Sequence, residues 1–519
     1  MLVNSVLLLT IVGTCTRGAK ILGVVTSPSY SHQVVYQPIW KELSLRGHQV
    51  TTIVTDGIND PSLTNLTEIV IEESYGSLKR HNFLDLHADQ GIMKMFAEIG
   101  YYFRDLYEVQ FNDARVKKII NDPKSNFDLV IFEAIGAPFV YFAKFNCSVI
   151  AMTSMDAAFP YSQVMGNPGH PLVNPSYMLK IEDSEHFTFK EKLASITNYW
   201  VCIALSWFKF DAFFDEMNRQ HFGNNIPPIN ELFKRIDMLF VVSNPIFQDN
   251  RAVNPNTITL GAGLHIKPPQ PLPKDLKDFL DNSPVPVVYF SLGTNVKGNL
   301  LNQTTKAEFY KAFSELPYKF LVKVDWENLT IPKNVKVARW LPQQDVLRHA
   351  NVKLFITQGG LQSLQEAVTN AIPMVGIPFF GDQFQNVQKI VKRGIAVKLH
   401  RHEISKETIK NAITKVLTDP TYKQKVEEMR DLMYDEPMTS LDKAIWWIEY
   451  VLRHKGAPLF KSNAANMPMY EYLMLDVIGA VLAFLIVLSV FIKLIYKSLK
   501  FILSRLIGGY FVKSKKKRD

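Results

Sequence analysis

The chain is predicted to be an α/β protein of two halves, each a parallel sheet flanked by helices, with a single apolar helix near the C-terminus. Three observations predict this. Short apolar runs alternate with helix-spaced segments from residue 20 onward, the same alternation restarts after a proline-rich stretch at 267–286, and Leu473 to Tyr496 is almost wholly apolar. At 519 residues the chain is also too long for one core, so two halves plus extra segments is the natural partition.

Val3 to Val12 is a short apolar run followed by small and polar residues around Gly18-Ala19, which reads as a leader removed near residue 19, although no Lys or Arg precedes the run. Lys20-Ile21-Leu22-Gly23-Val24-Val25 then starts a strand at once, which disfavours a buried helix over 1–18. Strand 20–26, helix Gln33–Arg46 and strand Gln49–Thr55 form a βαβ unit. Asp128–Phe132, Ser148–Thr153 and Leu239–Val242 are further strands, and Ala137–Phe145 a helix. Residues 155–235 are irregular and aromatic, including the run Trp207 to Phe214. They are either a ligand-facing wall or a packed aromatic core. The first half thus covers 20–265 and the proline-rich linker 266–286.

The second half, 287–470, opens with Val287-Val288-Tyr289-Phe290-Ser291-Leu292-Gly293-Thr294, a buried strand ending in a polar turn, and adds strands at Lys319–Val324 and Val335–Ala338. Ala444–Arg453 is a helix. Leu473–Tyr496 is long enough to cross a bilayer core. A buried core helix fits it less well, because its flank is so basic. Net charge is +9, and after Ile492 nine Lys and Arg stand against Asp519 alone, leaving the body near neutrality. A neutral body with a basic tail, 497–519, argues for a membrane partner with the tail cytosolic, and against nucleic acid. Lys516-Lys517-Arg518 reads either as a retrieval signal or as an anchor for anionic lipid heads. Sequons at Asn65, Asn146, Asn302 and Asn328 agree with a luminal body, Asn146 being the weakest since an apolar strand follows. With Cys15 removed in the leader, Cys147 and Cys202 are too few for a disulfide framework or a metal site.

The most informative segment runs from Trp340 to Gln383. Leu354-Phe355-Ile356-Thr357 is a strand of the kind covered on both faces. Gly359-Gly360 allows a sharp turn and a close backbone approach, and Leu361, Leu364 and Val368 have helical spacing. The first amides of that helix suit an anion. Ile372 to Pro378 returns as a strand, which delivers Asp382 and Gln383 to the same sheet edge.

This segment resembles the donor signature of the UDP-glycosyltransferases, with one departure: most members carry His where this chain has Gln358, a neutral amide. The resemblance implies a GT-B arrangement, two facing Rossmann-like domains with a cleft between them, and a luminal enzyme of the endoplasmic reticulum. It implies that Trp340 stacks on uracil (simple packing being the alternative), Gln343 meets the base edge and Glu366 the ribose hydroxyls. Gln358, Gly359, Gly360, Gln362 and Ser363 would surround the diphosphate, with hydroxyls from Ser291 and Thr294, and Asp382 and Gln383 would meet the sugar. His32 matches the family's catalytic base, which an alcohol nucleophile requires. Glu133 stands where the family has its Asp partner. Surface decoration for His32 and a solvated strand-end carboxylate for Glu133 are the plainer readings.

With no Asp-x-Asp in a suitable loop, neither metal nor cofactor is expected, the UDP-sugar being a co-substrate. The expected reaction is inverting transfer of a hexose to a small lipophilic acceptor. The loop Gly-Gly-Leu-Gln-Ser resembles the arthropod branch, which favours glucose over glucuronic acid. A catalytically weak carrier on the same fold is the rival class. A Rossmann dehydrogenase is more distant, because no Gly-x-Gly-x-x-Gly follows the first strand.

Overall fold

The computed structural model describes residues 18–515 except 82–91, 136–142, 158, 177–178, 180, 182–185, 206–210, 247–250, 295–300, 325 and 327–328. The expected leader, the retrieval signal, Asn328, the run Trp207–Phe210 and most of helix 137–145 therefore lie outside the described residues. The chain divides into two units, Met1–Ser462 and Asn463–Asp519.

Within the first unit, strands β1 (Lys20–Val24), β2 (Gln49–Val54), β3 (Leu66–Val70), β4 (Leu129–Glu133), β5 (Ser148–Thr153), β6 (Met238–Val241) and β7 (Thr257–Thr259) form one sheet in the order β3-β2-β1-β4-β5-β6-β7. A second sheet has the order β10-β9-β8-β11-β12-β13, from β8 (Val287–Ser291), β9 (Lys319–Lys323), β10 (Val335–Ala338), β11 (Val352–Thr357), β12 (Met374–Gly376) and β13 (Ala396–Lys398). Neighbouring strands pair in parallel, for example Ile21 with Leu129 and Phe355 with Met374. Such strands are buried on both faces, and their sequence shows why. In β5, Val149 and Ala151 face one core while Ile150 and Met152 face the other. In β8, Val287 and Tyr289 are separated from Val288 and Phe290 in the same way.

The helices that matter for the site are α1 (Tyr30–Leu45), α2 (Ile92–Asn112), α3 (Phe189–Leu205), α4 (Lys274–Asp281), α5 (Leu361–Thr369), α6 (Gln383–Lys392) and α7 (Ser440–His454). Two differ from the sequence reading. Helix α1 starts at Tyr30, not Gln33, so His32 sits in its first turn and not in a loop. The expected linker contains α4, whose Leu276 and Leu280 enter the core of the second half. Prolines on both sides hid that i,i+4 pair. Helix α7 packs its Ala444, Ile445, Ile448 and Val451 with the first half, sharing a core with α1 and β5. Ser440 Oγ donates to Ala262 O, and Arg46 pairs with Glu449. The second half thus grips the first at a point far along the chain.

In the C-terminal unit, α8 spans Leu475–Lys515; its stretch Leu475–Ile507 is not buried, and its most apolar 18 residues have mean hydropathy 2.8. It is long and apolar enough to cross a membrane. The helix also continues past Tyr496 through residues assigned to the tail, because Lys497 to Ile507 are mostly good helix formers. Of the sequons, Asn65, Asn146 and Asn302 are exposed. Asn302 also caps the helix Gln303–Glu315, accepting from Thr305 N–H at 2.7 Å.

Candidate active site

The carboxyl ends of β1, β4 and β5 meet those of β8, β9 and β11 around a cavity of about 470 Å³, lined from both halves. On the first-half side, α1 presents His32 at its first turn, and β4 ends on Glu133, which is only 1% exposed. His32 Nδ1 lies 2.7 Å from Glu133 Oε1 and 3.0 Å from Ser154 Oγ. The other carboxylate oxygen, Oε2, accepts from Ser27 N–H at 2.8 Å. In the neutral tautomer that donates to this carboxylate, Nδ1 carries the proton and Nε2 the lone pair. The solvated strand-end reading of Glu133 is therefore excluded. Its extra methylene is accommodated because the second oxygen is anchored on the turn that leads into α1.

On the second-half side, Gly359 follows β11 with φ +86°, and a Cβ there would lie 2.4 Å from Val387 Cγ2. Gly359→Ala is expected to weaken UDP binding about 10- to 100-fold through strain and displacement of α6, as titration with UDP would read. Gly293, at φ +75°, plays the matching part after β8: a Cβ there would lie 2.2 Å from Gln358 Nε2. Buried Gln358 therefore packs its amide over the β8 turn and beside Gly360. Ser291 is fully buried, and its Oγ accepts from Gly293 N–H, whereas Thr294 is exposed at the cavity rim.

The two residues expected at the sugar hydroxyls begin α6. Gln383 Oε1 accepts the N–H groups of Phe379 and Phe380, which shapes the turn and leaves its NH₂ for the cavity. Asp382 accepts from Asn386 Nδ2 at 2.7 Å, and burial pushes its carboxyl above the ordinary value.

Glu366, on α5, is the centre of a polar knot that the sequence did not reveal. Gln343 Nε2 donates to it at 2.7 Å and Gln344 Nε2 at 3.1 Å, and His265 Nε2 lies 3.5 Å away. Burial alone would raise its carboxyl, but His265 and the two glutamines more than offset this and hold it below the ordinary value. The amide of Gln343 is already engaged within the protein: its Oε1 accepts from Tyr289 Oη, and its Nε2 donates to Ser363 Oγ and Glu366 Oε2. Trp340 is 57% exposed, which sets aside simple packing; Lys323 Nζ lies 4.3 Å over its ring and Tyr30 meets its edge. Residues missed from sequence are thus Ser154, His265, Lys323 and Gln344. Only Gln344, beside Gln343, stood in the motif.

Gln362 also departs from expectation. Its Nε2 crosses the cleft to donate to Ser154 O at 2.8 Å. Ser154 in turn touches His32, so one residue joins the glycine turn to the histidine. Gln362→Ala is expected to lower kcat about tenfold with little change in the donor KM. A raised donor KM at unchanged kcat would instead restore a diphosphate role. Among the described residues, Leu78, Tyr102, Phe103 and Ile135 line the first-half side of the cavity, and Met155 is the one described residue of 155–235 that joins them. Phe214, from the expected wall, is buried in the core.

Two similar solved structures define the class. The glycotransferase of kitacinnamycin and the calicheamicin glycosyltransferase CalG4 both superpose with TM-score 0.55, at 18% and 17% identity, over 84% of this chain and 99% of theirs. The fold is that of a two-domain GT-B glycosyltransferase. The family model for UDP-glucoronosyl and UDP-glucosyl transferases matches residues 19–516, and the chain belongs to that family. Its members transfer a sugar from a UDP-sugar. UDP-glucosyltransferase 2 of Dactylopius coccus is 33% identical, covering 95% of each chain. The ecdysteroid UDP-glucosyltransferase of Mamestra brassicae nuclear polyhedrosis virus is 32% identical, covering 88% of this chain and 90% of that one. Human UDP-glucuronosyltransferase 2B7 is 31% identical, over 88% and 89%.

Proposed function

We propose that this chain transfers glucose from UDP-glucose to a hydroxyl of a small lipophilic acceptor, by a single in-line displacement that inverts the anomeric carbon. The observation that carries the reading is the His32–Glu133 pair at the cleft, with Nε2 of His32 left to take a proton from the acceptor hydroxyl. Glu133 stabilises the imidazolium that forms. The leaving diphosphate would rest at the Gly359-Gly360 turn and the N-terminus of α5, where backbone amides meet the developing charge without a metal ion. Glu366 would receive the ribose and the open face of Trp340 the uracil. Apolar side chains from Leu78, Tyr102, Phe103 and Ile135 suit a lipophilic acceptor.

Charge supports glucose over glucuronic acid. The sugar end carries Asp382, whereas the two lysines among the described lining residues belong to the opposite end: Lys323 covers Trp340, and Lys267 N–H donates to Gln344. A glucuronate carboxylate would meet the Asp382 carboxylate, and although Lys389 acts on Asp382 through space, no lysine or arginine among the described residues lines the cavity beside it. Two of the relatives named above are glucosyltransferases, while the human one is a glucuronosyltransferase, so glucuronic acid is the second reading for the donor. A carrier without turnover is disfavoured by the engaged His32. We further place the body in the lumen of the endoplasmic reticulum, single-pass, a reading supported by α8, the basic tail and the exposed Asn65 and Asn302. Membranes carrying the full chain, given a phenolic acceptor and either donor, should turn over UDP-glucose faster. Faster turnover of UDP-glucuronic acid would overturn the assignment.

A further inference from the structure

Gln385, on α6, is only 7% exposed, and its amide is spent outside its own half of the molecule. Its Nε2 donates to Ser176 O at 2.9 Å and to Leu179 O at 3.4 Å, both carbonyls of the first half. One residue earlier, Pro175 O accepts from Arg251, whose guanidinium also pairs with Asp156 at 2.6 Å. Asp156 stands two residues after Ser154, and Ser154 Oγ lies against His32. Polar contacts and short lengths of backbone therefore connect α6 to the frame that holds the histidine. The two ends are close enough that His32 acts on the Asp382 carboxyl through space.

We infer that Gln385 is a positioning residue for the sugar, bracing the turn of Asp382 and Gln383 against the half that carries His32. The inference deepens the proposed donor reading and rests on it for the statement that this turn meets the sugar. The turn has supports inside the second half: Asn386 Nδ2 donates to Asp382 and to Gly359 O, and Gln383 Oε1 accepts from Phe379 and Phe380. Those bonds fix its shape, but they do not refer it to His32. An in-line displacement needs that reference, because one half would hold the anomeric carbon while the other deprotonates the attacking hydroxyl. A misplacement of about 1 Å can cost roughly 100-fold in rate. Gln385 supplies the reference at the sugar end, as Gln362 does at Ser154. A neutral amide suits the place, since it gives a proton to each of two carbonyls without burying a charge. Glutamate has the same shape, yet when ionised it only accepts and would face those oxygens with no proton to give.

The test compares Gln385→Glu, Gln385→Ala and Arg251→Met in the full chain, purified in detergent. Isothermal titration is made with UDP-glucose and separately with UDP, without acceptor. UDP-glucose affinity is expected to fall about tenfold in Gln385→Glu, while UDP, which lacks the sugar, binds as to the parent. Gln385→Ala should move the same way, and so should Arg251→Met, although its side chain belongs to the other half. Hydrogen exchange of the unliganded chain supplies a second reading: amides of 379–386 should exchange about tenfold faster in all three variants, with 361–369 unchanged. Parent-like exchange of 379–386 in Gln385→Glu would overturn the inference. So would an equal loss of UDP and UDP-glucose affinity with faster exchange throughout the second half, which would mean general loosening. Faster exchange confined to 379–386 with parent-like UDP-glucose affinity would sustain the brace and overturn the sugar reading of Asp382 and Gln383, so the two fail separately.

Discussion

His32→Ala is expected to lower kcat/KM about 10²- to 10⁴-fold, the range for loss of a positioned general base, while leaving UDP affinity unchanged. The separation follows from the geometry. His32 is on α1 in the first half and bonds to Glu133 and Ser154, whereas the contacts proposed for UDP come from the second half. Glu133→Gln should lose part of the same effect, because a neutral amide can still accept from Nδ1–H but no longer stabilises the imidazolium. The measurement is steady-state turnover with UDP-glucose and a phenolic acceptor, paired with a UDP titration. Unchanged turnover in His32→Ala would remove this residue from the mechanism. Lost UDP affinity would mean that the two halves are not the separate base and donor sites described above.

The second large effect concerns Glu366. Removing its carboxylate in Glu366→Ala takes from Gln343, Gln344 and His265 the charged acceptor they share, leaving them only Ser363 Oγ, His265 O and Gln362 O respectively. Losing that acceptor costs on the order of 1–3 kcal/mol, and the knot would rearrange under the bound nucleoside. UDP affinity should therefore fall by roughly 100-fold, an effect of about 3 kcal/mol, while kcat at saturating donor falls far less. Glu366→Gln should be milder, since the side-chain shape survives. Isothermal titration with UDP reads both variants. If Glu366→Ala binds UDP like the parent chain, the ribose assignment fails.

Much of this site was legible in the sequence because it sits where buried strands end. β4, β8 and β11 announce themselves as continuous apolar runs, and the polar residues that close them are Glu133, Ser291 and Gln358. What escaped was of two kinds. The strands β3, β7 and β13 are short or at the margins of a sheet, where half-buried residues such as Thr and Lys blur the apolar pattern. The second kind is the partner of each side chain. A glutamine's type does not say where its amide goes, so Gln343 and Gln362 read as ligand contacts although one is spent on Glu366 and the other crosses to Ser154. His265 is the last residue assigned to the first half, where nothing local marks it, yet its side chain is buried against the Glu366 carboxylate. Long-range pairs of this sort come from the closure of two halves on each other, and no local periodicity encodes them.

The central claim, a direct displacement driven by a base across the cleft from the nucleotide, is tested most directly by the configuration of the product. The full chain in membranes would be given UDP-glucose and a phenolic acceptor, and the isolated glucoside examined by proton NMR. A single inverting step from the α-linked donor predicts the β-glucoside, formed about 10²- to 10⁴-fold more slowly by His32→Ala. An α-glucoside would require a different mechanism and would contradict the account.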